Sequence, residues 1–120
     1  MNVKRAHRVA DLIMAEVSDI LLKQVRDPRV KLVTITRVKL TDDLRFAKVF
    51  FVEMGKDTCD PQVKEGLERA TGFFKRELGK RLHLRYVPDL MFIVDEAFEY
   101  GSRIDKLLAE IRQQEGKDVE

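Results

Sequence analysis

The apolar residues of this chain change their spacing along its length, and that change limits the fold more than any single motif does. Ala6, Val9, Ala10, Ile13, Val17, Ile20 and Leu21 fall on one arc at about 100° per residue, with Lys4, Arg5, Arg8 and Lys23 on the other side. That spacing predicts an amphipathic helix. It is expected to end near Val25, because Pro28 disfavours helical geometry at Asp27. The next stretch, VKLVTITRVKL, is rich in β-branched residues and alternates in part with period two. Thr41-Asp42-Asp43-Leu44 supplies turn chemistry, and RFAKVFFVE reads as a second strand. So short a link makes the two an antiparallel hairpin.

Helical spacing then returns. Asp60 reads as an N-cap with Pro61 at the first helical position, and Val63, Leu67 and Ala70 mark a buried side as far as Gly72. A second helix follows at once, with Phe74, Leu78 and Leu82 on its apolar side and Arg76, Lys80 and His83 opposite. Pro88 closes this region, LMFIV makes a third strand, and SRIDKLLAEI places Ile104, Leu107, Leu108 and Ile111 on one face of a last helix. The polar RQQEGKDVE is expected to fray. A small sheet buries one face only against helices, so α-β-β-α-α-β plus a final helix predicts an α+β two-layer domain.

With 120 residues, 44% of them hydrophobic, the chain suffices for one domain whose core needs no disulfide or metal. No apolar run approaches the roughly 20 residues that span a bilayer, and the charged start MNVKRAHRVADL is unlike a secretory signal. The single cysteine, Cys59, permits no internal disulfide and no cysteine-based zinc site. A cytoplasmic location is therefore expected.

The net charge of +2 hides a segregated distribution. Residues 69–85 hold six basic side chains (Arg69, Lys75, Arg76, Lys80, Arg81 and Arg85) against Glu77 alone, and residues 1–31 hold seven against four acids. Residues 41–68 and 86–120 reverse the balance, with seven acids to four bases and nine to four. Arg76 and Lys80 stand one turn apart on one helix face, which suits a row of phosphates. Arg81 and Arg85 extend the density, and Arg5 and Arg8 add to it if the first helix packs alongside. On charge alone a solvated helix surface fits equally well.

Catalysis finds little support. His7 and His83 lie in the two basic helices, Cys59 has no activating base beside it, and the acidic pairs Asp42-Asp43 and Asp95-Glu96 lack metal-ligand spacing. Neither a GxxxxGK[ST] nor a GxGxxG pattern is present. Phe46, Phe50, Phe51, Phe73, Phe74 and Phe92 fall on strand or helix periods and read as core rather than as a base-stacking platform.

The element order is that of a type II KH domain, and several short segments make the resemblance specific. They are Asp27-Pro28-Arg29 before the first strand, VTIT at 33–36, Val38, and TDDLRFAKVF at 41–50, with Asp43, Leu44, Ala47, Lys48 and Val49 as the hairpin signature. Ala70-Thr71-Gly72 and FFKRELGKRLHLRYVPDLMFIVD at 73–95 complete the series. Over about residues 3–111 the chain resembles the ribosome-binding factor A family of bacterial small-subunit assembly factors. The resemblance implies a KH-like RNA-binding domain at residues 1–97 and a C-terminal helix with a flexible acidic tail at 98–120. It also implies binding to the immature 30S subunit and 16S rRNA near the 5′-terminal helix and neck, in late maturation and rRNA processing, above all in the cold. No catalytic activity, cofactor, metal, membrane or small-molecule substrate goes with it, and the protein would be a monomer off the ribosome.

On this reading Arg76, Lys80, Arg81, Arg85 and Lys75 position RNA phosphates, with Arg5, Arg8, Arg26 and Arg29 as secondary contacts. A standard KH domain clamps nucleic-acid backbone with a GxxG loop. Here Ala70, Thr71 and Gly72 stand in its place as a helix kink, at which Gly72 is expected to relax the backbone, so binding through a folded RNA surface is expected. Two rivals are a generic KH-like single-strand binder and a protein-interaction domain built on the acidic last helix.

Overall fold

One face of the first helix carries all seven residues of the expected arc, and all seven are buried. The computed structural model describes residues 3–118. In it α1 (Val3–Lys23) is followed by a 3-10 turn (Pro28–Val30), β1 (Val33–Leu40) and β2 (Phe46–Glu53). Next come α2 (Pro61–Arg69), α3 (Thr71–Leu82), β3 (Asp89–Val94) and α4 (Glu96–Asp118). The sheet has the order β1-β2-β3, with β1 and β2 antiparallel and β2 and β3 parallel. This is the expected α+β, KH-like architecture, with α1 and α3 packed together on one side of the sheet.

The core lies between those helices and the inward side of the sheet. Ala47, Val49 and Phe51 of β2 and Phe92 of β3 meet Ile13, Val17, Ile20, Leu67, Phe74 and Leu78 there. The period-two rule places the alternate residues Phe46, Lys48 and Phe50 on the opposite side. The expectation that all six phenylalanines are core therefore fails in part. Phe51, Phe74 and Phe92 are buried, Phe73 is half-buried, and Phe50 is half-buried beneath Arg37, whose Cζ lies 3.9 Å from the ring centroid. Phe46 is 55% exposed, because it opens β2 on the side turned away from α1 and α3.

Two loops are fixed by short polar contacts. After α1, the Asp27 carboxylate accepts from the Arg29 backbone N–H at 2.9 Å and from Arg29 Nη2 at 2.6 Å, which seats Pro28 at the start of the 3-10 turn. Those bonds to Arg29 hold the Asp27 carboxyl down from the ordinary 3.8 to about 2. A carboxyl lowered on folding stabilises the fold at pH above its unfolded value, and that contribution is lost as pH falls through the folded value. The melting temperature is thus expected to drop as pH falls from 4 towards 2, and less steeply for Asp27→Asn. Superimposable pH profiles for the two proteins would contradict this. In the hairpin, Thr41 Oγ1 donates to Asp43 Oδ1 at 2.6 Å, and Asp43 Oδ1 accepts from the Arg45 N–H at 3.1 Å. These bonds hold Leu44 at φ +62, a left-handed conformation unusual for leucine.

The last helix begins earlier and ends later than its apolar stripe predicts. Asp95 caps it, accepting from the Phe98 N–H at 3.1 Å while Thr36 Oγ1 donates to its other oxygen at 2.6 Å. Burial pushes the Asp95 carboxyl up, but the hydrogen bonds from Thr36 and Phe98 and the nearby Arg37 outweigh it and leave it below the ordinary 3.8. The boundary expected after residue 97 therefore falls inside the first turn of α4. The polar stretch 112–118, expected to fray, is helical, in keeping with the helix propensity of its Arg, Gln, Glu and Lys residues.

Candidate nucleic-acid interface

Helices α2 and α3 meet without a loop. Ala70 alone separates them, at φ −87 and ψ 0, and its N–H is shared between Gly66 O at 3.2 Å and Leu67 O at 3.1 Å. Thr71 Oγ1 donates back to Leu67 O at 3.2 Å. The change of direction is thus carried by Ala70. Gly72 lies within α3 in ordinary helical conformation, where an added Cβ would meet only Arg76 Nη1, at 4.0 Å. Gly66 is the glycine that packing uses, since a Cβ there would stand 3.3 Å from Val30 Cγ1. The expected role of Gly72 in relaxing the backbone is therefore corrected. Gly72→Ala is expected to raise stability by up to about 1 kcal/mol, read from denaturant melts. A loss would show that the bend does need glycine at that position.

Burying Phe74 and Leu78 turns the other side of α3 outward. Arg76 and Lys80 stand there one turn apart, and the Lys80 side chain is 73% exposed with Nζ 3.8 Å from Glu77. The other expected phosphate contacts are placed differently. Arg81 turns inward, with only 25% of its side chain exposed: Nη1 donates to Glu16 at 2.7 Å and Asp19 at 2.8 Å, and Nη2 donates to Gln24 at 2.8 Å. Those carboxylates raise the Arg81 pKa further, and the cluster ties α3 to α1. Lys75 bonds Asp89 at 2.6 Å, and Arg29 is held by Asp27.

Arg85 lies beyond α3, its Cζ 5.5 Å above the ring of Tyr86. It lines a cleft with Arg5, Arg45, Leu44, Leu84, Asp43 and Tyr86, so the first helix and the α3–β3 connection do come together. Arg8 is exposed near the start of α1, and Arg26 is exposed in the link that follows its end. Arg26 and Arg29 lie past the far end of α1 from Arg5 and do not line that cleft. Arg45 and Tyr86 were not anticipated. Arg45 directly follows the turn signature, and Tyr86 sits in a short segment without periodicity, so neither carries a patterned signal.

Reactive chemistry is poorly served. Burial, then the charges of Glu53, Glu99 and Asp60, push the Cys59 thiol up to about 11, away from the thiolate. Among the described residues no group of three or more His, Cys, Asp or Glu is placed to hold a metal, and no helix is long and apolar enough to cross a membrane.

Comparison with known proteins agrees with this fold. The family model of ribosome-binding factor A matches residues 5–108. A ribosome-binding factor A of Syntrophus aciditrophicus is 60% identical over 115 residues, covering 96% of this chain and 94% of that one. The solution structure of a Thermotoga maritima candidate ribosome binding factor A superimposes with TM-score 0.64 at 32% identity, over 78% of this chain and 89% of that one. The same fold is seen in a homology model of Thermus thermophilus ribosome binding factor A, fitted into the cryo-EM map of a 30S complex. There the TM-score is 0.55 at 24% identity, over 71% of this chain and 93% of that one. A family match across nearly the whole domain, on a fold with α2 and α3 joined at Ala70, places this chain in the ribosome-binding factor A family.

Proposed function

We propose that this protein is a ribosome assembly factor of the cytoplasm. It binds the immature 30S subunit and its 16S rRNA near the 5′-terminal helix and neck, and promotes late 30S maturation and rRNA processing, most of all in the cold. The observation that carries the reading is the outward side of α3, where Arg76 and Lys80 are exposed one turn apart while Phe74 and Leu78 are buried on the opposite side. Contacts of this kind supply affinity for RNA without reading sequence. The 30S complex of the Thermus thermophilus relative supports the choice of partner.

The chain works by binding, with no cofactor, and is a monomer off the ribosome. Arg76 and Lys80 meet phosphates first, Arg85, Arg5 and Arg8 extend the contact, and Arg26 and Arg29 add a weaker one at the far end of α1. Lys75 and Arg81 act by holding α3 in place as well as by their charge. With no GxxG loop at Ala70, the RNA is engaged as a folded surface along α3. Depleting the protein from its host at low temperature is expected to raise free small subunits relative to 70S ribosomes and to leave unprocessed ends on 16S rRNA. Unchanged subunit profiles and mature rRNA ends in the cold would contradict the reading.

A further inference from the structure

Two clefts lie side by side where the β1–β2 turn meets the α3–β3 connection. One, of about 370 Å³, is lined by Arg5, Asp43, Leu44, Arg45, Leu84, Arg85 and Tyr86. The other, of about 420 Å³, is lined by Arg45, Phe46, Tyr86, Val87 and Asp89. Arg45 and Tyr86 belong to both, so they form the ridge between them. Each volume falls in the ordinary range for small-ligand sites.

The composition of this ridge is unusual for a surface that serves only the fold. Tyr86 is 72% exposed, and Phe46 is exposed although it opens the central strand. An arginine accompanies each ring: Arg85 stands over Tyr86, and Arg45 precedes Phe46 and lines the same cleft. Arg5, Arg45 and Arg85 line the clefts beside Asp43 and Asp89, and Asp89 is paired with Lys75 at 2.6 Å. Exposed aromatic rings interleaved with arginines bind single-stranded nucleic acid, with bases stacking on the rings and phosphates on the guanidiniums.

The walls are also set before any ligand arrives. The Asp89 N–H donates to Arg45 O at 2.8 Å, joining the hairpin to β3. Thr41 and Asp43 hold the turn, and Pro88, two residues after Tyr86, is fully buried. The backbone that carries these side chains is therefore ordered in the free protein, which removes that part of the binding cost.

We propose that the paired clefts hold two consecutive unstacked nucleotides of single-stranded RNA, one base on Tyr86 and the next on Phe46, with Arg5, Arg45 and Arg85 on their phosphates. This rests on the RNA-binding reading above and adds to it a single-strand site away from the α2–α3 junction, where KH domains ordinarily grip.

The test uses the full chain and a fluorescein-labelled hexanucleotide of mixed adenine and cytosine, read by anisotropy at 50 mM salt, with association to purified 30S subunits measured in parallel. Tyr86→Ser and Phe46→Thr are each expected to weaken hexanucleotide binding about tenfold, while Tyr86→Phe keeps it. Melting temperatures confirm that the variants are folded, as the exposure of both rings leads one to expect. Equal affinity of the Ser and Thr variants, or no hexanucleotide binding by the unaltered chain, would overturn the clefts as a site. The two readings separate cleanly. Association with 30S subunits without hexanucleotide binding keeps the assembly reading and removes this one, and hexanucleotide binding without 30S association does the reverse.

Discussion

Phe74→Ala is expected to remove about 3–5 kcal/mol of folding stability, the range for emptying an aromatic site in a packed core. Phe74 has no exposed surface and sits where α3 crosses the sheet, its ring 5.3 Å from that of Phe92 and 6.4 Å from that of Phe73. Phe92 in turn meets Phe51 edge-on at 6.4 Å, so one deletion loosens a chain of rings that joins β2 and β3 to the helix. Rigid neighbours do not collapse into such a space, and the lost contacts add to the lost burial. Against a total of about 5–15 kcal/mol for a domain, the variant is left marginal at growth temperature. Urea unfolding checks this through the midpoint. A loss below about 1 kcal/mol would show that α3 does not rely on this contact.

The second large effect is on binding. Reversing Arg76 and Lys80 together to Glu is expected to weaken association with free small subunits by at least tenfold. It should also lower the slope of log affinity against log salt by about two, one for each lost phosphate contact. The fold should survive, since both side chains point away from Phe74 and Leu78. Arg81 provides the contrast. A glutamate at that position would face Glu16 and Asp19 across the α1–α3 contact, so Arg81→Glu is expected to lower the melting temperature where the double reversal does not. Affinity lost with Arg81 therefore cannot be credited to RNA unless stability is measured beside it. If the Arg76 and Lys80 reversals left both affinity and salt slope unchanged, this side of α3 would be only a solvated surface.

Periodicity made much of this fold legible. The arc from Ala6 to Leu21, the Phe74–Leu78 side of α3 and the antiparallel hairpin were all readable because each buries one side against a neighbour, and burial imposes the period. Residues that act through partners distant in sequence were not readable. Arg81 resembles Arg76 and Lys80 in type and spacing, and only the packing of α1 beside α3 turns it inward to Glu16 and Asp19.

The start of α4 was hidden for a similar reason. Its apolar stripe begins at Ile104, but the cap that starts the helix is Asp95, which is fixed by Thr36 from another strand. Phe46 looked like core because hydrophobicity does not report which side of a strand is covered. Gly72 drew attention as part of a motif, whereas Gly66, which the 3-10 turn approaches closely, carries no sequence mark of that contact.

The central claim is tested most directly by sedimenting the purified protein with separated ribosomal fractions over a range of salt. The account predicts that the protein travels with free small subunits, is absent from translating 70S ribosomes, and dissociates as salt rises. Equal association with every fraction, or with none at low salt, would contradict it.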